Sequence, residues 1–214
     1  AMDWWAGVGA EGDLERALAL AETSQAGARG LVCLPFLAGE RSPIWDPDAT
    51  GAFVGLRLGH GRGHLTRAIL EASALAIRNV AAPMLAAGVR VTAMRACGGP
   101  ARSETWNQIK ADVTGFPVLV PAVLETAVLG SAILGAVAIG ASPDVRTAVR
   151  SMTRIERRLE PRPETRATYD RAYATYTGLY PSSDNASWAR YTAWVRHLDR
   201  LAGRVRALEK EKKK

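Results

Sequence analysis

The chain is poor in the side chains that build metal centres and covalent frameworks: it has two cysteines and three histidines in 214 residues. Cys33 and Cys97 each sit in an apolar, strand-like run. Two cysteines so placed give no zinc-ligand spacing and no disulfide framework, and both read as reduced core residues. His60 and His64 are four apart but lack the carboxylate of an HExxH pattern, which argues against a zinc site. No run reaches the ~20 apolar residues a membrane-spanning helix requires. The nearest, residues 118–139, is broken by Pro121, Glu125, Thr126 and Gly130 and reads as a buried strand followed by a core helix. The opening residues Ala1-Met2-Asp3-Trp4-Trp5 lack the basic region, apolar stretch and cleavage site of a secretory signal. A cytoplasmic protein without a membrane partner is the expectation.

Positive charge, by contrast, is in excess. A net charge of +7 raises the question of nucleic acid, but the arginines are scattered and the densest cluster is the terminal Lys210-Glu211-Lys212-Lys213-Lys214, which reads as a solvated tail. No zinc-finger or other common nucleic-acid motif accompanies it, so a nucleic-acid partner ranks last among the readings. The 48% hydrophobic and 23% charged residues are those of a globular protein, and 214 residues suffice for a sizeable core.

Element types alternate in the manner of an α/β fold. A helix is expected over 13–22, capped by Gly12 or Asp13, and a buried strand over 30–36, followed by a long Gly-, Pro- and Asp-rich loop over 37–63. Apolar residues at Leu65, Ala68, Ile69, Ala72, Leu75, Ala76, Val80 and Leu85 predict a helix over 64–87 closed by Gly88. Then come a strand over 91–97, a helix over 102–114 ending at Gly115, a short strand over 117–120 and an Ala- and Gly-rich helix over 125–139. The last third reads as a helix over 143–152, a charged edge strand over 153–159 and a helix over 164–180. After a turn at 181–185, a basic amphipathic helix is expected over 186–209, its stripe of Trp188, Tyr191, Trp194 and Leu198 suited to packing.

The chemistry concentrates after the strand over 91–97, at Cys97-Gly98-Gly99-Pro100-Ala101-Arg102-Ser103. Two glycines at a strand end reach backbone conformations closed to other residues and let a flat ligand approach the main chain. The helix that follows turns its free N–H groups and positive end toward that turn, which suits a nucleotide. The pattern is neither GxGxxG nor a P-loop, and on its own a Gly-Gly turn is more often a tight connection than a site. Elsewhere, Glu40, Arg41, Asp46 and Asp48 read as loop-fixing salt bridges ahead of metal or phosphate ligands, Glu71 as a carboxylate that anchors a loop, and Trp45 as either a core residue or a cleft shield.

The residues around the turn carry a resemblance. Gly98-Gly99-Pro100-Ala101-Arg102-Ser103 with Trp106-Asn107-Gln108-Ile109, Ala111-Asp112, Gly115 and Pro117-Val118 resembles the adenine-binding segment of the FGGY carbohydrate kinases. Leu34-Pro35-Phe36 with Gly39-Glu40-Arg41-Ser42-Pro43 and Trp45-Asp46-Pro47, then Gly51, Phe53, Gly55, Leu56, His64, Leu65, Ala68, Ile69, Leu70 and Glu71, are similar to that family's second-domain loop and second signature. Glu125 to Ala132 is similar to its following helix, so the matching blocks run in order from Gly30 to Gly140.

The resemblance implies an α/β, ribonuclease-H-like (actin-like ATPase) domain with added C-terminal helices: a nucleotide-binding domain over 1–160, missing its first strands, and a helical extension over 161–214. It implies ATP as cofactor with Mg²⁺, for which no ligand is identified. Gly98 and Gly99 would pack against adenosine, Ser103 would reach the purine or ribose, and Asn107 would line the same pocket. The residues alone also select Gly99, for backbone access, and Ser103, as a helix cap. Pro100 departs from the small residue usual there and removes one N–H from the turn. The family's base, an aspartate in a Gly-x-x-Asp-type segment, has no match here. The chain is thus expected to begin mid-domain, to hold ATP or ADP, to need a sugar-binding N-terminal domain and a small sugar substrate, and to be inactive alone, in a xylulokinase-like or related pentulose or autoinducer branch. A homodimer is left open, as is a non-catalytic nucleotide-sensing or partner-binding module.

Overall fold

The computed structural model describes residues 1–43 and 45–179. The helix expected over 186–209, the turn before it and the lysine tail lie outside the described residues.

Helix formation follows the local signals where a side chain caps the end. In α2 (Leu14–Glu22) Asp13 accepts from the N–H groups of Glu15 and Arg16 at 2.9 and 3.1 Å. It is preceded by α1 (Met2–Gly9), an element the sequence reading did not anticipate, whose Trp5 is buried and donates its indole N–H to Thr66 Oγ1 at 2.7 Å. The short strands β1 (Val32–Leu34) and β2 (Ala52–Val54) pair antiparallel with Cys33 opposite Phe53, so the segment expected as loop over 37–63 contains a strand.

The long helix α3 (Arg62–Ala86), rather than the run at 118–139, is long and apolar enough by composition to cross a membrane. Its first half packs as a core helix. Residues Thr66 to Ala72, Ala74 and Leu75 are buried, and Arg67 pairs with Glu71 inside the protein. In β3 (Met94–Arg95), α4 (Glu104–Thr114) and β4 (Val118–Pro121) the chain forms a parallel strand–helix–strand unit, Met94 opposite Val118. Beyond α5 (Thr126–Ala138) and α6 (Val145–Met152), β5 (Ile155–Leu159) adds antiparallel to β4, giving the order β3-β4-β5. Helix α7 (Arg166–Leu179) follows.

Among the described residues two apolar clusters form, and α4 touches both. Ile109 and Val113, one turn apart, join Leu31, Phe36, Leu70, Leu75, Tyr169 and Tyr176, while Ala111 on the other side packs with Val118, Val120 and Leu159. Tyr169 and Tyr176 lie on α7, in the segment assigned to the extension beyond residue 160, and are fully buried in the larger cluster. In contrast α5 carries Val128 at 70% and Leu134 at 62% exposure.

The cysteines divide. Cys33 is buried on β1, and burial pushes its thiol up to about 12. Cys97 is exposed, against the expectation of two core cysteines, because β3 ends at Arg95 and the chain leaves the sheet before reaching it. A thiol reagent at pH 8 is therefore expected to modify one cysteine of the native chain and the second only in denaturant. Rapid modification of both without denaturant would contradict the packing of β1.

Candidate functional site

Between β3 and α4 the backbone makes the turn that the sequence singled out. Gly98 has φ 71° and ψ −169°, a conformation that a Cβ would strain. Its N–H donates to Leu124 O at 2.9 Å and its carbonyl accepts from Ala101 N at 3.1 Å, tying the turn to the segment before α5. Gly99–Arg102 forms one 3-10 turn with Pro100 near its start, where a missing N–H costs no helical bond. Gly99 is exposed, and a Cβ built on it would meet nothing within 4 Å. The outer face of the turn is thus open to a flat ligand.

Ser103 closes the turn and starts α4: its Oγ accepts from Trp106 N at 3.2 Å. That leaves the other first-turn N–H groups of α4 facing the turn, and the helix dipole favours electron-rich groups there. The helix ends at Gly115, φ 75°, as expected.

Asn107 lies beneath the turn rather than on its open side. It is 0% exposed; its Nδ2 donates to Ala101 O at 2.7 Å and its Oδ1 accepts from Lys110 Nζ at 3.1 Å. Gly99 is exposed and Gly98 and Ser103 are half-buried, while Asn107 is buried and bonded to the carbonyl of the turn. Lys110 was not singled out by the sequence, although its spacing of three from Asn107 places both on one helix face. Its ammonium sits 5.0 Å from the Trp106 ring centroid, and burial pulls its pKa below the usual lysine range. A largely apolar cavity of about 360 Å³ opens next to the turn, lined by Arg95, Cys97, Val123, Thr126, Leu129 and Met152 among others.

Other sequence candidates have structural partners. Glu40 Oε1 accepts from the N–H groups of Arg41 and Ser42, and Asp46 Oδ1 from Asp48 N, so this loop is held by carboxylate-to-backbone bonds. Trp45 is 74% exposed and is not a core residue. His60 and His64 each accept a backbone N–H through Nδ1, from Arg57 and Gly61. Glu71 anchors a loop by accepting from Gly27 N at 2.9 Å; Arg67 Nε at 2.8 Å and the Tyr169 hydroxyl at 2.9 Å reach the same oxygen. Burial raises the Glu71 carboxyl above its ordinary range, against the opposing pull of Arg67. Among the described residues no group of three or more His, Cys, Asp or Glu gathers as a metal site.

Residues 6–139, which hold the turn, Ser103 and Asn107, match the family model described as the FGGY family of carbohydrate kinases, C-terminal domain. The chain belongs to that family. Its relatives include a gluconokinase of Bacillus licheniformis, 40% identical over 111 residues, half of this chain and 21% of the relative. A glycerol kinase of Thermus brockianus is 40% identical over 127 residues, 59% of this chain and 26% of the relative. Among solved structures, the xylulose kinase of Rhodospirillum rubrum superposes with a TM-score of 0.75 at 35% identity, over 90% of this chain and 38% of that one. The chain thus spans well under half the length of each. The α/β architecture is that of these FGGY kinases, the ribonuclease-H-like, actin-like fold expected from the sequence.

Proposed function

We propose that this chain is the ATP-binding C-terminal portion of an FGGY sugar kinase, and that the Gly98–Ser103 turn takes the adenosine end of the nucleotide. The observation that carries the reading is the open Gly98-Gly99 backbone set directly before a helix whose first N–H groups face it. A purine and ribose can lie flat on main chain that carries no Cβ, with Ser103 at the edge for a polar contact and the neighbouring cavity for apolar surface.

Transfer of the γ-phosphate to a sugar hydroxyl also requires a base on the acceptor and a cation on the phosphates. Among the described residues no group of three or more His, Cys, Asp or Glu gathers, and no Mg²⁺ ligand is assigned to this chain. In this reading the base, an aspartate near the start of the nucleotide-binding domain, and the separate sugar-binding domain both lie outside residues 1–214. The division at residue 160, cytoplasmic residence and inactivity of the chain alone form part of the proposal.

Calorimetric titration of the full chain with ADP tests it, beside Gly99→Val. Gly99 has free space around its Cβ and no left-handed φ, so the variant should fold normally while its side chain occupies the ligand face. An affinity at least roughly tenfold weaker is expected, the size of losing one good apolar face. Binding of equal strength by parent and variant would move the nucleotide away from this turn.

A further inference from the structure

We infer that Asn107 is the positioning residue of the adenosine turn, and that Lys110 fixes the direction in which Asn107 acts. This rests on the reading of that turn as the nucleotide site and specifies what shapes it.

The turn is supported from below by Asn107. Its upper segment is held by main-chain bonds, Gly98 N–H to Leu124 O and Ala101 N–H to Gly98 O. The carbonyl of Ala101 points inward, and its side-chain partner is the Asn107 amide at 2.7 Å. Asn107 is wholly buried, so this carbonyl has a protein donor where water does not reach. An unpartnered buried carbonyl would cost enough to reorient the peptide, and the turn is short enough that the reorientation would pass directly to Gly99 and Gly98.

An asparagine amide has two ends, and only one suits a carbonyl. Lysine carries donors and no acceptor. With the Lys110 ammonium 3.1 Å from Oδ1, the oxygen end of the amide is committed to Lys110 and the N–H₂ end to Ala101. Trp106 holds that ammonium from the side, its ring centroid 5.0 Å away and its own indole N–H donating to Ser73 Oγ at 2.8 Å on α3. A chain of contacts therefore runs from the core helix α3 through Trp106, Lys110 and Asn107 to the backbone that would face the ligand. None of these four side chains contacts the ligand in this account.

Substituting aspartate separates shape from direction. Asn107→Asp keeps the outline and still accepts from Lys110, but it sets a carboxylate oxygen against the Ala101 carbonyl. Lys110→Met keeps Asn107 and the apolar stem while freeing the amide to turn. Nitrogen-resolved NMR titration of the full chain, with adenosine and with ADP, follows the Gly98, Gly99 and Ser103 amides and detects millimolar affinities. The expected results are saturable shifts in the parent and dissociation constants raised about tenfold in Asn107→Asp and about threefold in Lys110→Met, the effects of one lost and one weakened buried hydrogen bond. The factor should be the same for adenosine and ADP, with the saturating amplitude retained while Asn107→Asp melts a few degrees lower. A merely loosened fold would instead lower that amplitude.

Affinities for both variants within twofold of the parent would overturn the positioning role while leaving the nucleotide reading intact. Absence of any shift at these amides in the parent would overturn both. If Asn107→Asp does not fold, Lys110→Met decides, because unchanged affinity there overturns the inference that a directed Asn107 amide shapes the turn.

Discussion

Glu71→Ala should lower the stability of the chain by about 3–5 kcal/mol, because it leaves the Arg67 guanidinium buried without its counter-charge. The side chains of Arg67 and Glu71 are only 7% and 3% exposed, so water cannot take over the lost role. Three donors converge on one carboxylate oxygen, from Gly27, Arg67 and Tyr169, and Arg67 Nη2 also donates to the Tyr169 hydroxyl at 2.8 Å. Removing the acceptor strands all three at once, joining as it does α3, the loop before β1 and α7. Thermal unfolding should show a fall of roughly 10 °C, given about 2–4 °C per kcal/mol for a chain of this size. A double replacement, Arg67→Met with Glu71→Leu, should recover much of that loss, since an apolar pair carries no desolvation penalty. A single-variant loss below about 1 kcal/mol, the range of surface pairs, would show that the pair is solvated.

Asp112→Ala should cost about 2–4 kcal/mol, the range for losing several hydrogen bonds to a buried ionised acceptor. The Asp112 side chain is 0% exposed; Oδ1 accepts from Gln108 Nε2 and Arg162 N, both at 2.8 Å, and Oδ2 from Arg162 Nε and Nη2 at 3.0 and 2.6 Å. The Arg162 side chain is 46% exposed, so the Coulombic part of this pair is screened and the backbone N–H carries much of the effect. Arg162→Ala, which retains that N–H, should therefore cost only about 1 kcal/mol. Urea unfolding of the two variants distinguishes the contributions. Equal losses would mean that the guanidinium, not the main chain, is what Asp112 holds.

Legibility in the sequence followed the range of the interaction. Asp13, Ser103 and Gly115 act within one turn of their own positions, and each was readable as the start or end of a helix. β2 was missed because its three residues are defined by pairing with β1 across a long loop, which no local period reports. The strand expected over 91–97 is reduced to Met94–Arg95 because the ladder with β4 extends no further, and Cys97 is exposed as a result. α1 carries no side-chain cap and is fixed by the burial of Met2 and Trp5, a tertiary cause. In the candidate site, the conformational freedom of Gly98 was evident from residue type. The downward role of Asn107 was not, since an asparagine one turn into a helix looks the same whether it faces a ligand or a carbonyl.

Helix α4 bears its obligations on different sides: Asn107 toward the turn, Ile109 and Val113 toward one cluster, Ala111 toward the other and Asp112 toward Arg162. Adding or deleting a residue rotates everything beyond it by about 100°, which would move the later members of this set off their partners together. Length is therefore constrained between Ser103 and Gly115. Divergence along that stretch must proceed by exchange of side chains at constant spacing.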